Sequence, residues 1–398
     1  MPISSQRCAV NIAFVSSEAL SSTQDESDLA AQRAHLMAVA RELGREHKVT
    51  IYTRRNSDSD KSRVRVSQGV TLEHLTAGPA ENLPEDGVLP YLSDLGDQLM
   101  DRWGQDRPDV IHAHSWTGGL AAIAGANGLN VPFTQTFSSE SSRDAKDAKK
   151  VRVQRAIGRR ASAVIAGCGD EETSLIRLGV PRRNISIIPC GVDVERFRRQ
   201  GPSAARGTRP RLLHVGPLSA DKGVHTAIRA LEGVPDAELI IAGGPAATEL
   251  EHDADAHRMM LLAKEIGVED RITVLGHVPH TSVAKLMRSA DVVFSLPREA
   301  PAGVVALEAM ACGVPVIASA VGAHLDSVVD GVTGLLVPAD RPAQTSRLTR
   351  ELLADPTRRT ALGFAGADRA RSRYSWERIS QELVHVYETA LSGAAAAH

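Results

Sequence analysis

Two short stretches in the second half of the chain combine glycine and lysine in a way that suits a phosphate-bearing ligand. In "VGPLSADKGVHTAIRAL" a predicted strand ends at Gly216, and Lys222 stands just before a predicted helix. In "DVVFSLPREAPAGVVALEAMACG" another strand is followed by Gly303, Val304 and Val305, where a second helix begins. Backbone amides at a helix N-terminus bind phosphate, and a nearby lysine adds a charge-assisted contact. We therefore predict an anion site at these residues; an exposed surface lysine is the alternative for Lys222.

Glu308 stands one helical turn beyond this predicted anion site. Its flanks, "VVAL" and "AMACGVPVI", are wholly apolar. A charged residue in apolar surroundings usually has a partner or a task. Because a carboxylate there can accept both hydroxyls of a ribose, we expect Glu308 to bind a nucleotide; an exposed helix charge is the alternative.

Metal and disulfide sites are not indicated by the sequence. His112 and His114 end the predicted strand in "DVIHAHSW", but no cluster of carboxylates or cysteines accompanies them. The chain has 4 cysteines, and no two of them have CxxC spacing. We expect reduced thiols in a cytoplasmic protein and no metal ion.

Apolar runs of strand length alternate with helical patterns along the whole chain. In the first half the predicted strands are "VNIAFVS", "KVTIYT", "DVIHAH", "PFTQTF", "AVIAG" and "SIIP". In the second half they are "RLLHVG", "AELIIAGG", "RITVLG", "DVVFSL", "VPVIAS" and "GLLVP". Such alternation favours doubly wound parallel sheets, whose ligands bind at the carboxyl ends of the strands.

The composition changes between the two series of strands. Arg196–Arg211 is rich in Arg, Gly, Pro and Ser without apolar periodicity, which predicts a linker. We therefore expect one domain over residues 1–194, a linker over 195–210 and a second domain over 211–374. Residues 375–398 predict an amphipathic helix, with Ser375 as its N-cap, that packs back on the first domain.

The bulk composition argues against several other classes of protein. A chain of 398 residues is long for one core, and its net charge of -2 gives no general attraction to nucleic acid. No apolar run reaches the roughly 20 residues that span a bilayer. Neither half opens with GxGxxG, which argues against a nicotinamide-dependent oxidoreductase. The basic segment Arg143–Arg160 predicts a contact with an anionic acceptor, a partner or a membrane surface, or else a solvated helix of mixed charge.

Five motifs together resemble the family-4 retaining glycosyltransferases of the GT-B fold: "LEAMACGVPVIAS", "VGPLSADKG", "VVDGVTGLLVP", "DVIHAHSWTGG" and "IPCGVDVERF". The resemblance covers nearly the whole chain and is most like actinobacterial members that transfer a hexose. It implies an α/β protein of two Rossmann-like domains facing across a cleft, the first on the acceptor side and the second binding a nucleoside-diphosphate sugar. It also implies metal-independent transfer without a cofactor, since the sugar nucleotide is a substrate.

The resemblance assigns roles to His114 near the acceptor, to Lys222 at the diphosphate and to Glu308 at the ribose. The family usually has another glutamate eight positions before Glu308, where this chain has Ala300. Glu299 is one residue away and is the remaining carboxylate for that catalytic role, although its side chain would point elsewhere unless the loop bulges.

Other positions also depart from the family pattern. Pro217 stands where the family usually has an arginine beside the diphosphate, and Ser138 where it has a histidine near the transferred sugar. Ala30 and Ala31 replace a double glycine, and alanine resists positive φ angles. Each lost charge-assisted contact is expected to slow the reaction roughly 10–100-fold.

Two functions therefore stay open at this point. The first is a hexosyltransferase that acts on a small-molecule or glycan acceptor. The second is a catalytically degenerate homologue that serves as a partner, a scaffold or a sugar-nucleotide-binding protein. A homo-oligomer or a complex with a partner glycosyltransferase is compatible with both.

Overall fold

The computed structural model describes residues 9–17, 28–137 and 148–396. They divide into two compact units. The first unit contains the described residues up to Ile188 and those from Ser380 onward, and the second unit is Pro189–Ile379. Each unit has its own sheet of mostly parallel strands.

The described part of the first unit forms an eight-stranded sheet. Its strands are β1 (Asn11–Ser16), β2 (Lys48–Arg54), β3 (Arg63–Ser67), β4 (Val70–Leu75), β5 (Val110–His114), β6 (Phe133–Thr136), β7 (Ala163–Ala166) and β8 (Ile185–Ile187). Their order is β3-β4-β2-β1-β5-β6-β7-β8, and the neighbours are parallel except for the antiparallel pair β3 and β4. The sequence did not predict this hairpin, because "RVRVS" is charged and lies at the sheet edge.

In the described part of the first unit, five α-helices connect these strands. They are α1 (Asp28–Leu43), α2 (Leu92–Gln105), α3 (Trp116–Gly125), α4 (Ala148–Arg160) and α5 (Gly169–Leu178). On α2, Leu95, Leu99 and Trp103 recur every four residues and are buried. A Cβ atom at Gly125 would lie 2.5 Å from the Cβ of Leu99. Glycine on α3 therefore lets α2 pack closely against it.

The described second unit forms a six-stranded sheet. Its strands are β9 (Arg211–Val215), β10 (Glu238–Ala242), β11 (Ile272–Gly276), β12 (Val292–Ser295), β13 (Val316–Ser319) and β14 (Leu335–Val337), in the order β11-β10-β9-β12-β13-β14. The helices are α6 (Val224–Glu232), α7 (Ala254–Glu265), α8 (His280–Ser289), α9 (Val304–Ala311), α10 (Ala323–Ser327), α11 (Pro342–Ala354) and α12 (Pro356–Tyr374). All neighbouring strands are parallel, and the predicted strands of this half are confirmed. The strand order reverses between β9 and β12, which is where parallel sheets usually bind ligands.

The last helix, α13 (Trp376–Ala396), begins in the second unit, and its residues from Ser380 onward belong to the first. Ser375 Oγ accepts a hydrogen bond from the amide of Arg378 at 3.3 Å, so Ser375 is its N-cap. Within the first unit, Tyr387 is buried and its hydroxyl lies 2.6 Å from Nδ1 of His112. The helix is thereby hydrogen-bonded to β5.

The segment 195–210, which the composition predicts as a linker, belongs to the second unit. Phe197 is only 1% exposed. Arg206 donates to the carbonyl of Ser289 at 3.0 Å and to the carboxylate of Asp291 at 2.6 Å. Arg206 thereby attaches this segment to the loop between α8 and β12.

Two further features of the described residues concern the cysteine thiols and the possibility of a membrane-spanning helix. Cys190 and Cys312 are buried, and burial raises the pKa of each thiol to about 12. Within the described ranges, no helix combines the length and the apolar character needed to cross a membrane.

Candidate functional site

Two loops at the carboxyl edge of the second sheet are in direct contact. One follows β9 and the other follows β12. The amide of Arg298 donates to the carbonyl of Asp221 at 2.8 Å. Gly223 has a φ of +88°, and a Cβ atom there would lie 2.0 Å from the carbonyl oxygen of Leu296. Only glycine fits at this contact, so the sequence-distant Lys222 and Gly303 loops form one cluster.

The first part of this cluster carries Gly216 and Lys222. Gly216 has a φ of +140°, and no heavy atom lies within 4 Å of the place where its Cβ would be. There is therefore open space beside the end of β9. Lys222 is half-buried, and its Nζ lies 4.0 Å from Oδ2 of Asp221. Pro217 is also half-buried and brings no positive charge to this loop.

The second part of the cluster is the start of α9. Gly303 is its N-cap residue, with a φ of +61°, and the helix begins at Val304. The first amides of a helix have no acceptor within the helix. The amides of Gly303, Val304 and Val305 therefore form the positive end of the helix dipole, which favours an anion.

His324 lies close to Gly303, since a Cβ atom at Gly303 would be 3.2 Å from its Cδ2. Its Nδ1 contacts the carbonyl of Ser319 at 2.9 Å, and its Nε2 contacts Oγ of Ser295 at 3.1 Å. Burial lowers the pKa of His324 to about 4, so the ring is neutral at pH 7. It connects the ends of β12 and β13 below the α9 N-terminus.

Glu308 is buried on α9, at 5% exposure, and is not an exposed helix charge. Its Oε1 accepts a hydrogen bond from Nε2 of His280 at 2.6 Å. Nη1 of Arg196 contacts Nδ1 of the same histidine at 2.9 Å. Burial raises the pKa of Glu308, while the hydrogen bond from His280 opposes that rise.

Sequence reasoning missed both His280 and Arg196. A signal for His280 existed, because it begins α8 just after β11 ends at the same edge of the sheet. No signal pointed to Arg196, which lies in the stretch predicted as a linker.

Glu299 and Ala300 occupy different environments. Glu299 is exposed, whereas Ala300 is 4% exposed and its carbonyl accepts from the amide of Ala323 at 2.8 Å. The neighbouring Arg298 pairs with Asp340 at 2.8 Å. The buried position beside the cluster is thus an alanine, and the carboxylate of the preceding residue is directed to the surface.

The two histidines of β5, His112 and His114, lie in the first unit. His112 contacts Thr136 through Nε2 at 2.8 Å, in addition to its bond with Tyr387, so it serves the fold. The His114 ring stacks on His112 at 4.4 Å between centroids. Burial lowers the pKa of His114 to about 3, and its Nε2 has no hydrogen-bond partner among the described residues. The end of β5 therefore carries a neutral imidazole whose buried Nε2 is unsatisfied by the described residues.

Some of the residues that the sequence singles out lie outside the described ranges. Ser138 lies outside the described residues, as do residues 143–147 of the basic segment. Ala30 and Ala31 lie in the first turn of α1, so this stretch is helical.

Part of the basic segment is described as α4. There Arg155 donates a hydrogen bond to the carbonyl of Leu178 at 2.7 Å, so part of the basic surface supports α5.

No group of three or more His, Cys, Asp or Glu side chains in the described ranges could hold a metal ion.

Comparisons with known proteins identify the family. Residues 31–191 match the family described as "Glycosyl transferase 4-like domain", and residues 195–369 match "Glycosyl transferases group 1". A D-inositol 3-phosphate glycosyltransferase of Kribbella flavida is 30% identical over 375 residues, covering 87% of this chain and 88% of the relative. The enzyme of the same name from Geodermatophilus obscurus is 32% identical, with coverages of 93% and 87%.

Solved structures agree with these matches. A sucrose-phosphate synthase from Thermosynechococcus elongatus superimposes with a TM-score of 0.80 at 26% identity, covering 96% of this chain and 99% of that one. Anabaena HepE, solved with UDP and glucose, shares the fold with a TM-score of 0.72 at 18% identity, with coverages of 96% and 100%. The predicted GT-B fold class is confirmed, and the chain belongs to the glycosyltransferases that join a 4-like domain to a group 1 domain.

Proposed function

We propose that this protein is a retaining glycosyltransferase that moves a hexose-type sugar from a nucleoside-diphosphate sugar to a small-molecule or glycan acceptor. The observation that carries the proposal is the loop cluster of the second unit. It brings Lys222, the first amides of α9 and the buried Glu308 to one edge of one sheet. In this proposal Lys222 and the amides of Gly303–Val305 bind the diphosphate, and Glu308 binds the ribose.

The same groups suit the chemistry of transfer. Negative charge develops on the diphosphate as its bond to the sugar breaks, and donors fixed in advance stabilise that charge. Lys222 and the α9 dipole supply such donors without a metal ion or a cofactor. The neutral His114 is proposed to lie on the acceptor side, and Glu299 is the carboxylate nearest in sequence to the position where the family has a glutamate.

The names of the relatives suggest the first substrates to test. D-inositol 3-phosphate is the acceptor in the name of the Kribbella flavida protein, and UDP is bound in the HepE structure. We propose a UDP-hexose as the donor and a phosphorylated polyol as the acceptor, with the cytoplasm as the compartment.

The direct test is product formation by the purified protein with UDP-, GDP- and ADP-hexoses, each with and without D-inositol 3-phosphate, with and without EDTA. We expect release of the nucleoside diphosphate and a glycosylated acceptor by mass spectrometry, unaffected by EDTA. Lys222→Ala should lower this rate roughly 10–100-fold, because a charge-assisted contact is lost.

The matched control is Lys264→Ala, an exposed lysine on α7 of the same unit, which should behave as wild type. Absence of both nucleotide binding and product with every donor would refute the proposed function.

A second candidate function is favoured by the altered positions. Ala300 is buried where the family has a carboxylate, and Pro217 brings no guanidinium to the diphosphate loop. A degenerate homologue would bind UDP and yet turn over far below about 1 s⁻¹, the low end of ordinary enzymes. It would then act as a sugar-nucleotide-binding protein or as a scaffold for a partner glycosyltransferase. Turnover at or above that rate in the same assay would exclude this candidate.

A further inference from the structure

Three groups hold the imidazole of His280 in place over Glu308. Its Nε2 lies 2.6 Å from Oε1 of Glu308, and its Nδ1 lies 2.9 Å from Nη1 of Arg196. Its ring centroid lies 5.1 Å from that of the buried Phe197. The His280 side chain is 57% exposed, whereas that of Glu308 is 6% exposed. The histidine therefore lies at the surface, between the solvent and the buried carboxylate.

The arginine determines which nitrogen of His280 carries the proton. A guanidinium only donates, so Nδ1 must accept from Arg196. The hydrogen of the neutral ring is then on Nε2, which donates to Oε1 of Glu308. Asp193 holds Arg196 in turn. Oδ1 of Asp193 accepts a hydrogen bond from the Arg196 amide at 3.0 Å, and Oδ2 of Asp193 lies 3.7 Å from Nε of Arg196. Asp193, Arg196 and Phe197 belong to the "IPCGVDVERF" motif, which the proposed function does not use.

The remaining oxygen of Glu308 is available for a ligand. Oε1 carries the bond from His280, and Oε2 makes no hydrogen bond to the described residues. A carboxylate held by one oxygen presents the other in a defined direction, which lowers the ordering cost of binding.

We propose that His280 is a positioning residue for the donor: it holds Glu308 by Oε1 as a carboxylate and leaves Oε2 for the ribose hydroxyls. This inference rests on the proposed function, in which Glu308 binds the ribose. His280 acts through Glu308 and is not assigned a contact with the reacting atoms.

The proposal has a consequence for the pH dependence of nucleotide binding. Glu308 must be ionised to accept ribose hydroxyls, and burial raises its pKa. The hydrogen bond from His280 and the charge of Arg196 oppose this rise, whereas Asp193 adds to it. The thiols of Cys190 and Cys312 also interact with Glu308, and both stay protonated because burial raises the pKa of each to about 12. Removing His280 therefore moves the loss of nucleotide affinity on acidification to a higher pH.

The experiment is calorimetric titration of the full chain with UDP between pH 5.5 and 8.5. His280→Ala should bind UDP about tenfold more weakly at pH 7, and its affinity should begin to fall at a higher pH than that of wild type. His280→Gln places an amide N–H near the position of Nε2 and should recover most of the affinity. His257→Ala, an exposed histidine on α7, is the control and should match wild type.

The outcomes separate this inference from the proposed function. Unchanged UDP affinity and an unchanged pH profile in His280→Ala would overturn the inference alone. The inference is also overturned if His280→Gln is folded, by circular dichroism, and binds no better than His280→Ala. Failure of the wild-type protein to bind UDP, GDP or ADP would instead overturn the proposed function from which the inference starts.

Discussion

Gly303 has a backbone conformation that favours glycine, and it lies at the proposed diphosphate site. Its φ of +61° is costly for alanine, and a Cβ atom there would lie 3.2 Å from Cδ2 of the buried His324. Gly303→Ala should therefore lower the free energy of unfolding by about 1–2 kcal/mol and tilt the first amides of α9. We expect a measurable loss of UDP affinity by calorimetry, together with this loss of stability by urea unfolding.

Gly331 provides the matched control for that substitution. Its φ is +71°, and no heavy atom lies within 4 Å of the place where its Cβ would be. Gly331→Ala should carry a similar backbone cost of about 1–2 kcal/mol and leave UDP affinity unchanged. If Gly303→Ala binds UDP as tightly as Gly331→Ala, the α9 N-terminus does not contact the nucleotide.

At the scale of elements, the sequence predicted the buried strands and the loops that come directly after them. "DVVFSL" and "RLLHVG" are apolar runs, so β12 and β9 were predictable, and with them the loops that carry Gly303 and Lys222. The hairpin of β3 and β4 was not, because an edge strand needs no apolar run. Nor was the contact between His280 and Glu308, because it depends on the order of strands in the sheet and not on any spacing along the chain. The contacts of Arg206 with Ser289 and Asp291 could not be predicted for the same reason.

The attachment of α13 to the first unit can be tested through one hydrogen bond. Tyr387 and His112 are both buried, burial raises the pKa of Tyr387, and burial lowers that of His112. A protonated tyrosine hydroxyl and a neutral imidazole therefore share this hydrogen bond of 2.6 Å. Tyr387→Phe leaves Nδ1 of His112 without a partner and should cost about 1–3 kcal/mol of unfolding free energy. Tyr91→Phe, whose hydroxyl makes no hydrogen bond to the described residues, is the control; equal stabilities for the two variants would contradict this role of α13.

At the scale of the whole molecule, both units bury neutral histidines. Burial lowers the pKa of His35 to about 4 and of His114 to about 3 in the first unit, and of His214 and His324 to about 4 in the second. In the unfolded chain these groups titrate near 6.5, so below that pH the unfolded state binds more protons. These four histidines therefore cost no stability above about pH 6.5, and their cost grows as the pH drops toward 4.

His214 allows this pH dependence to be tested on one side chain. It lies on β9 between Ile241 and Phe294 of the neighbouring strands, is 2% exposed, and neither ring nitrogen has a hydrogen-bond partner among the described residues. His214→Leu, of similar volume, removes two unsatisfied nitrogens and should stabilise the protein by roughly 1–3 kcal/mol at pH 7.5. At pH 5 the advantage should grow by roughly a further 2 kcal/mol, because a pKa of about 4 in the folded state makes protonation unfavourable there. Urea unfolding at both pH values measures the two differences, with His257→Leu as the exposed control. A His214→Leu variant whose stability falls with acid as steeply as that of wild type would show that the imidazole is not held neutral in the sheet.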